Sequence, residues 1–203
     1  MAAIRELLTP SEAAVVAGVS VRDVNRVIDE HIVPEALYSL KGGRWLKSQA
    51  CAYVRFYFHT AKALTSDERT RVIRTLSAMK KRSWTFHQDF LTVKLDGFFE
   101  ETEARRAALL RARALVVEDP EILGGTPVIR GTRIPVYDVA ASMRAGDDPE
   151  RLKAAYPGLE DEHLELAGLY AQASPARGRP RGRSAPADLR MVSGRKVARR
   201  RRA

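Results

Sequence analysis

The candidate binding side chains in this sequence are mainly cations, and they fall into four groups. Arg22 and Arg26, with the amide Asn25 between them, stand at i, i+4 and i+3 in "SVRDVNRVIDEH", which puts all three on one face of a helix. Guanidinium and amide groups on such a face can read base edges. Lys41, Arg44 and Lys47 surround the turn "KGG" and suit phosphate contacts. Arg130 and Arg133 flank a glycine in "PVIRGTRIPV". Arg177, Arg179, Arg181 and Arg183 form the first cluster of an arginine-rich end, and Arg199 to Arg202 form the second. A catalytic set is not expected. Glu100, Glu101 and Glu103 sit at a helix start, where carboxylates serve the dipole and solvent. His31, His59, His87 and His163 are far apart, and none has a histidine or cysteine at ligand spacing, so neither a metal nor a cofactor is expected. Cys51 lies in an aromatic-rich helical pattern and reads as a small buried hydrophobe. Without a nucleophile paired to a base, or a phosphate loop, the expectation is a binding protein that is not an enzyme.

The charge is unevenly placed. Residues 1–173 hold 24 Lys and Arg against 24 Asp and Glu, whereas residues 174–203 hold 11 basic residues against Asp188 alone. The formal net charge of +10 therefore belongs to the end of the chain, and the body is neutral. With 203 residues and 45% hydrophobic content, the body suits one ordinary domain or two small ones. Its apolar runs are too short for a membrane span, and its start lacks a signal-peptide core, so a cytoplasmic protein is expected.

The elements that must position these groups follow from caps and periodicity. Residues 1–64 read as one unit. Thr9, Pro10 and Glu12 open a first helix, Gly18 turns the chain, and Ser20 with Asp23 opens a second helix whose buried stripe is Val24, Val27 and Ile28. "LYSL" and "RWLK" then form the two strands of a wing around "KGG". Residues 65–114 read as connecting helices with the strand-like "FLTVKL" between them, and as a possible dimer interface; "EETEARRAALLRARALVV" is their charged second helix. Residues 115–173 read as a ribbon, "PVI" and "RIPV" turned by "RGT", followed by three helices. The last of these exposes Glu160, Asp161, Glu162 and Glu165, which would repel phosphate, so this unit should contact protein. The predicted fold is mainly α: two small helix-turn-helix domains, the first winged, each with a short β-ribbon, and a disordered basic tail over 174–203.

The first unit resembles the winged helix-turn-helix of MerR-like transcription factors, which implies DNA contact through Arg22, Asn25, Arg26, Lys41, Arg44 and Lys47. "GGTPVIRGTRIPV", with the helix, the "DDPE" helix start and the "YPGL" that follow, resembles the family known as domain of unknown function 433, over roughly residues 115–173. Members of that family look like antitoxin partners of PIN-type ribonuclease toxins, and some with a preceding DNA-binding domain are classed as VapB antitoxins. The resemblance implies a protein that neutralises such a nuclease and represses its own operon, as a homodimer or in a larger complex with the toxin. Arg130, Arg133, Arg177, Arg179, Arg181 and Arg183 are the expected toxin contacts, since PIN nucleases resemble one another in an acidic cluster that bidentate guanidiniums can occupy. Arg130 and Arg133 also read as solvated cations of a structural hairpin. "RGRP", Arg177 to Pro180, also resembles an AT-hook, a minor-groove reader. The plainer reading of the tail is a polycation for any acidic surface, and the plainer reading of the whole chain is a transcription regulator without a toxin.

Overall fold

The structure, a computed structural model, describes residues 6–86 and 91–176. Strand β1 (Leu7–Leu8) leads into helix α1 (Pro10–Ala17). Thr9 starts that helix: its hydroxyl accepts the Glu12 N–H at 3.3 Å, and the Glu12 carboxylate accepts the Thr9 N–H at 2.9 Å. Gly18 ends it at φ 66°, a conformation L-residues resist, and a Cβ there would collide with the Arg55 guanidinium. Helix α2 (Val21–Asp29) begins with the same reciprocal cap between Ser20 and Asp23, and Val24, Val27 and Ile28 are buried as their spacing predicts.

The wing departs from a two-stranded ribbon. β2 (Tyr38–Ser39) and β3 (Trp45–Lys47) pair as expected, but β1 joins the other edge of β3, with Leu7 opposite Lys47 and Leu8 opposite Leu46. A strand of two residues has no period to read, and what holds it is the burial of Leu8 beside Leu46. Helices α3 (Ala50–His59) and α4 (Ser66–Met79) follow, the latter capped by Thr65 and Glu68. β5 (Leu91–Lys94), the strand-like segment, pairs with β4 (Ser83–Phe86), which the sequence pattern did not mark.

Helix α5 (Asp96–Leu115) is about 30 Å long at 1.5 Å per residue and takes part in both hydrophobic cores. Its Leu109 lies in the first core with Val16, Phe56 and Leu76, whereas Ala112, one turn on, lies in the second with Ile129, Val139 and Leu164. The helix stops at Leu115. Val116 and Val117, expected as its last residues, form β6 (Val116–Val117) against β7 (Val128–Ile129), where β-branched pairs suit a ladder better than a helix end. The expected hairpin is thinner than drawn: "PVI" and "RIPV" meet in a single bridge between Val128 and Pro135, with the Ile129 N–H donating to the Ile134 carbonyl at 2.9 Å. Three helices close the unit: α6 (Val136–Ala145), α7 (Pro149–Ala155) and α8 (Asp161–Ala173). The chain is thus mainly α, with small sheets of two or three strands.

Two ion pairs tie α5 to the first unit. Arg55 of α3 is buried; it donates from Nη1 to the Ala17 carbonyl at 3.0 Å and from Nε to Glu101 at 2.8 Å. Arg113 pairs with Glu12, the capping carboxylate of α1. At the far end of α8, Ala173 packs into the first core. No helix among the described residues is long and apolar enough to cross a membrane.

Candidate nucleic-acid interface

The two caps and the buried stripe of α2 leave one face outward. Arg22 and Arg26 are exposed on it and Asn25 is half-buried. Arg22 has no side-chain partner among the described residues. Arg26 donates from Nε to Glu30 at 2.9 Å, and this hydrogen bond, with the Glu30 charge, holds its guanidinium above the ordinary arginine range. Arg44, at the end of the wing's turn, reaches back to α2: its Nη1 is 2.8 Å from the Asp29 carboxylate and 3.3 Å from the Asn25 amide oxygen. Wing and helix thereby form one continuous surface through Asn25, Asp29 and Arg44.

The other two wing cations part company. Lys41 is exposed at the turn, and its backbone N–H donates to Ser39 Oγ at 3.3 Å. Lys47 is half-buried and lines a pocket with Lys80, Lys81 and Arg82 from the end of α4. Those three stood in the sequence as "KKR" at a helix C-terminus, a position that the dipole alone explains, and so drew no functional reading.

Exposed ion pairs such as Arg26–Glu30 and Arg44–Asp29 contribute little to stability. A bidentate base contact is worth about 1–3 kcal/mol, so these arginines can exchange a carboxylate for nucleic acid at little cost.

The second unit presents a different surface. Arg130 is occupied: its Nε donates to the Ala114 carbonyl at 2.8 Å and its backbone N–H to the Leu115 carbonyl at 2.7 Å, closing the end of α5. Arg133 is exposed and lines a shallow groove with Ile122, Tyr156 and Pro157. Glu160, Asp161, Glu162 and Glu165 are exposed on α8; Asp161 is held by Lys153 at 2.8 Å, and Glu162 lies 3.5 Å from Arg111. Arg177, Arg179, Arg181 and Arg183 lie outside the described residues.

The remaining candidates have local roles. Cys51 is fully buried, its Sγ 3.9 Å from the Ala13 carbonyl, and burial pushes its thiol up to about 12. Glu101 and Glu103 are bound to Arg55 and Arg106 respectively. His31 meets Tyr38 Oη at 2.8 Å, and His163 Nδ1 accepts the Glu160 N–H at 3.2 Å.

Residues 116–171 match the family described as protein of unknown function (DUF433). The chain is also similar over nearly its whole length to the uncharacterized protein y4eO of Sinorhizobium fredii (strain NBRC 101917 / NGR234): the two are 50% identical over 99% of this chain and 97% of that protein. The chain belongs to that protein's family. No solved structure matches it. The DUF433 match begins at β6, so it leaves out Ala112 and Leu115 of α5, which complete the second core.

Proposed function

We propose that this chain is a two-headed antitoxin and autorepressor of the VapB kind. Its first unit binds operator DNA through Arg22, Asn25, Arg26, Lys41, Arg44 and Lys47. Its second unit and arginine-rich end bind and inhibit a PIN-type ribonuclease.

The contrast between the two surfaces carries this reading. The α2 face offers Arg22, with no side-chain partner among the described residues, and two arginines in weak exposed pairs, whereas the start of α8 offers four exposed carboxylates, two of them in similar pairs. Phosphate is drawn to the first surface and repelled by the second, which leaves the second for protein. The DUF433 match, in a family whose members resemble antitoxins, supports a nuclease toxin as that protein.

Two measurements test the proposal together. The full chain should retard a duplex carrying the DNA upstream of its own reading frame, and it should inhibit ribonuclease activity of the product of an adjacent frame of about 100 to 150 residues with spaced acidic residues. Specific DNA retardation without any nuclease partner would favour a stand-alone regulator. Nuclease inhibition with no DNA retardation would remove the repressor half.

A further inference from the structure

We infer that the pocket between the wing and the end of α4 is a phosphate-binding site built from Lys47, Lys80, Lys81 and Arg82. The pocket holds about 410 Å³ and is also lined by Gln49 and Tyr53, and no carboxylate among the described residues lines it. The four cations come from two elements far apart in sequence. Lys47 arrives on β3, while Lys80, Lys81 and Arg82 follow the last turn of α4. None of the three lysines has a carboxylate partner among the described residues. Arg82 lies with its guanidinium 4.7 Å from the Phe99 ring centroid, which orients it.

Cations at a helix C-terminus are often explained by the free carbonyls they neutralise. That explanation is weak at α4. The Leu76 and Ser77 carbonyls are already taken by the backbone N–H groups of Lys80 and Lys81, because Lys80 adopts the left-handed conformation at φ 53°. Those two carbonyls therefore need neither ammonium group, and Lys47 belongs to no helix. Four like charges lining one pocket repel each other, and an anion with several oxygens relieves that repulsion while accepting their hydrogen bonds. A phosphate is such an anion, and it has two sources: the backbone of a duplex lying across the wing, or a free phosphorylated small molecule.

The full-length chain is compared with Lys80→Gln/Lys81→Gln and with a charge-matched control, Lys62→Gln/Arg151→Gln, at two exposed positions outside the pocket. Inorganic pyrophosphate is titrated and followed by NMR at the Lys47 and Gln49 amides, which separates this pocket from the arginines of residues 177–203. The expected result is saturable shifts at these amides with an affinity about tenfold weaker in the pocket variant, and no change in the control. Random-sequence duplex is then titrated across salt concentrations. A slope of log affinity against log salt shallower by about 2 in the pocket variant assigns the phosphate to the DNA backbone, at roughly 0.9 per phosphate released. An unchanged slope with the pyrophosphate loss assigns it to a free small molecule. If neither readout moves, or the control loses as much as the pocket variant, the site is refuted. A chain that binds no duplex at all would end the DNA reading, and the pyrophosphate arm would still decide this one.

Discussion

The Arg44 guanidinium lies 2.8 Å from the Asp29 carboxylate, so the turn of the wing is tied to the end of α2. A phosphate arriving there must compete with that carboxylate. Asp29→Ala should therefore strengthen duplex binding about two- to fivefold at low salt, with the gain shrinking as salt screens the charge. Retardation titrations at two ionic strengths measure this. A weaker complex would mean that Asp29 positions Arg44 for DNA and does not compete for it.

Base reading and phosphate holding should separate by mutation. Arg26→Ala should cost about 1–3 kcal/mol at the operator and relax sequence preference, and Arg22→Ala at least as much, because Arg22 has no carboxylate to leave among the described residues. Lys41→Ala and Arg44→Ala should weaken all sequences alike. Footprints unchanged by Arg22→Ala and Arg26→Ala would show that α2 is not the reading helix.

Arg55 is the buried link between α1, α3 and α5. Arg55→Ala leaves the Ala17 carbonyl without its donor and Glu101 with only the more distant Arg105 at 3.7 Å, and should cost about 2–4 kcal/mol in urea unfolding. Glu101→Gln should cost less, since Glu101 is half exposed and its amide can still accept from Arg55. Equal losses from the two variants would mean that the ion pair outweighs the cap on α1.

Alkaline stability isolates Cys51. Its ordinary value is 9.0, and burial holds it near 12 in the folded chain, so the unfolded thiol ionises first as pH rises. The stability it confers is complete below pH 9 and is lost above it, at about 1.4 kcal/mol per pH unit up to the folded value. At pH 10.5 the natural chain should have lost about 2 kcal/mol more, relative to pH 8, than Cys51→Ala. Parallel unfolding curves for the two proteins at both pH values would contradict a buried thiol.

Removing the arginine-rich end tests its role in inhibition. Truncation after Ala176 keeps Ser174, whose carbonyl accepts the Tyr137 hydroxyl at 2.8 Å, so the second core should persist. The truncated chain should still bind the nuclease in part while releasing much of its activity, and its duplex binding should show a shallower salt slope. Full inhibition together with loss of A·T-rich duplex would favour the AT-hook reading and move the inhibitory surface to the groove at Arg133.

The sequence by itself determined the local features: the Thr9 and Ser20 caps, the turn at Gly18, the buried stripe of α2, and the three closing helices. Each depends on residues within about four positions of one another, where hydrogen bonding and periodicity act without help from the rest of the chain. The tertiary structure decided what depends on distant partners. β1 and β6 are strands only because β3 and β7 lie beside them. Arg130, a candidate for partner contact, is taken up by the end of α5, and Arg44 is drawn to Asp29. The cations of Lys47 and of Lys80 to Arg82 meet because β3 and the end of α4 converge on one pocket. A charge's neighbours across 30 or 100 residues are set by how the cores pack, and no spacing within the sequence encodes them.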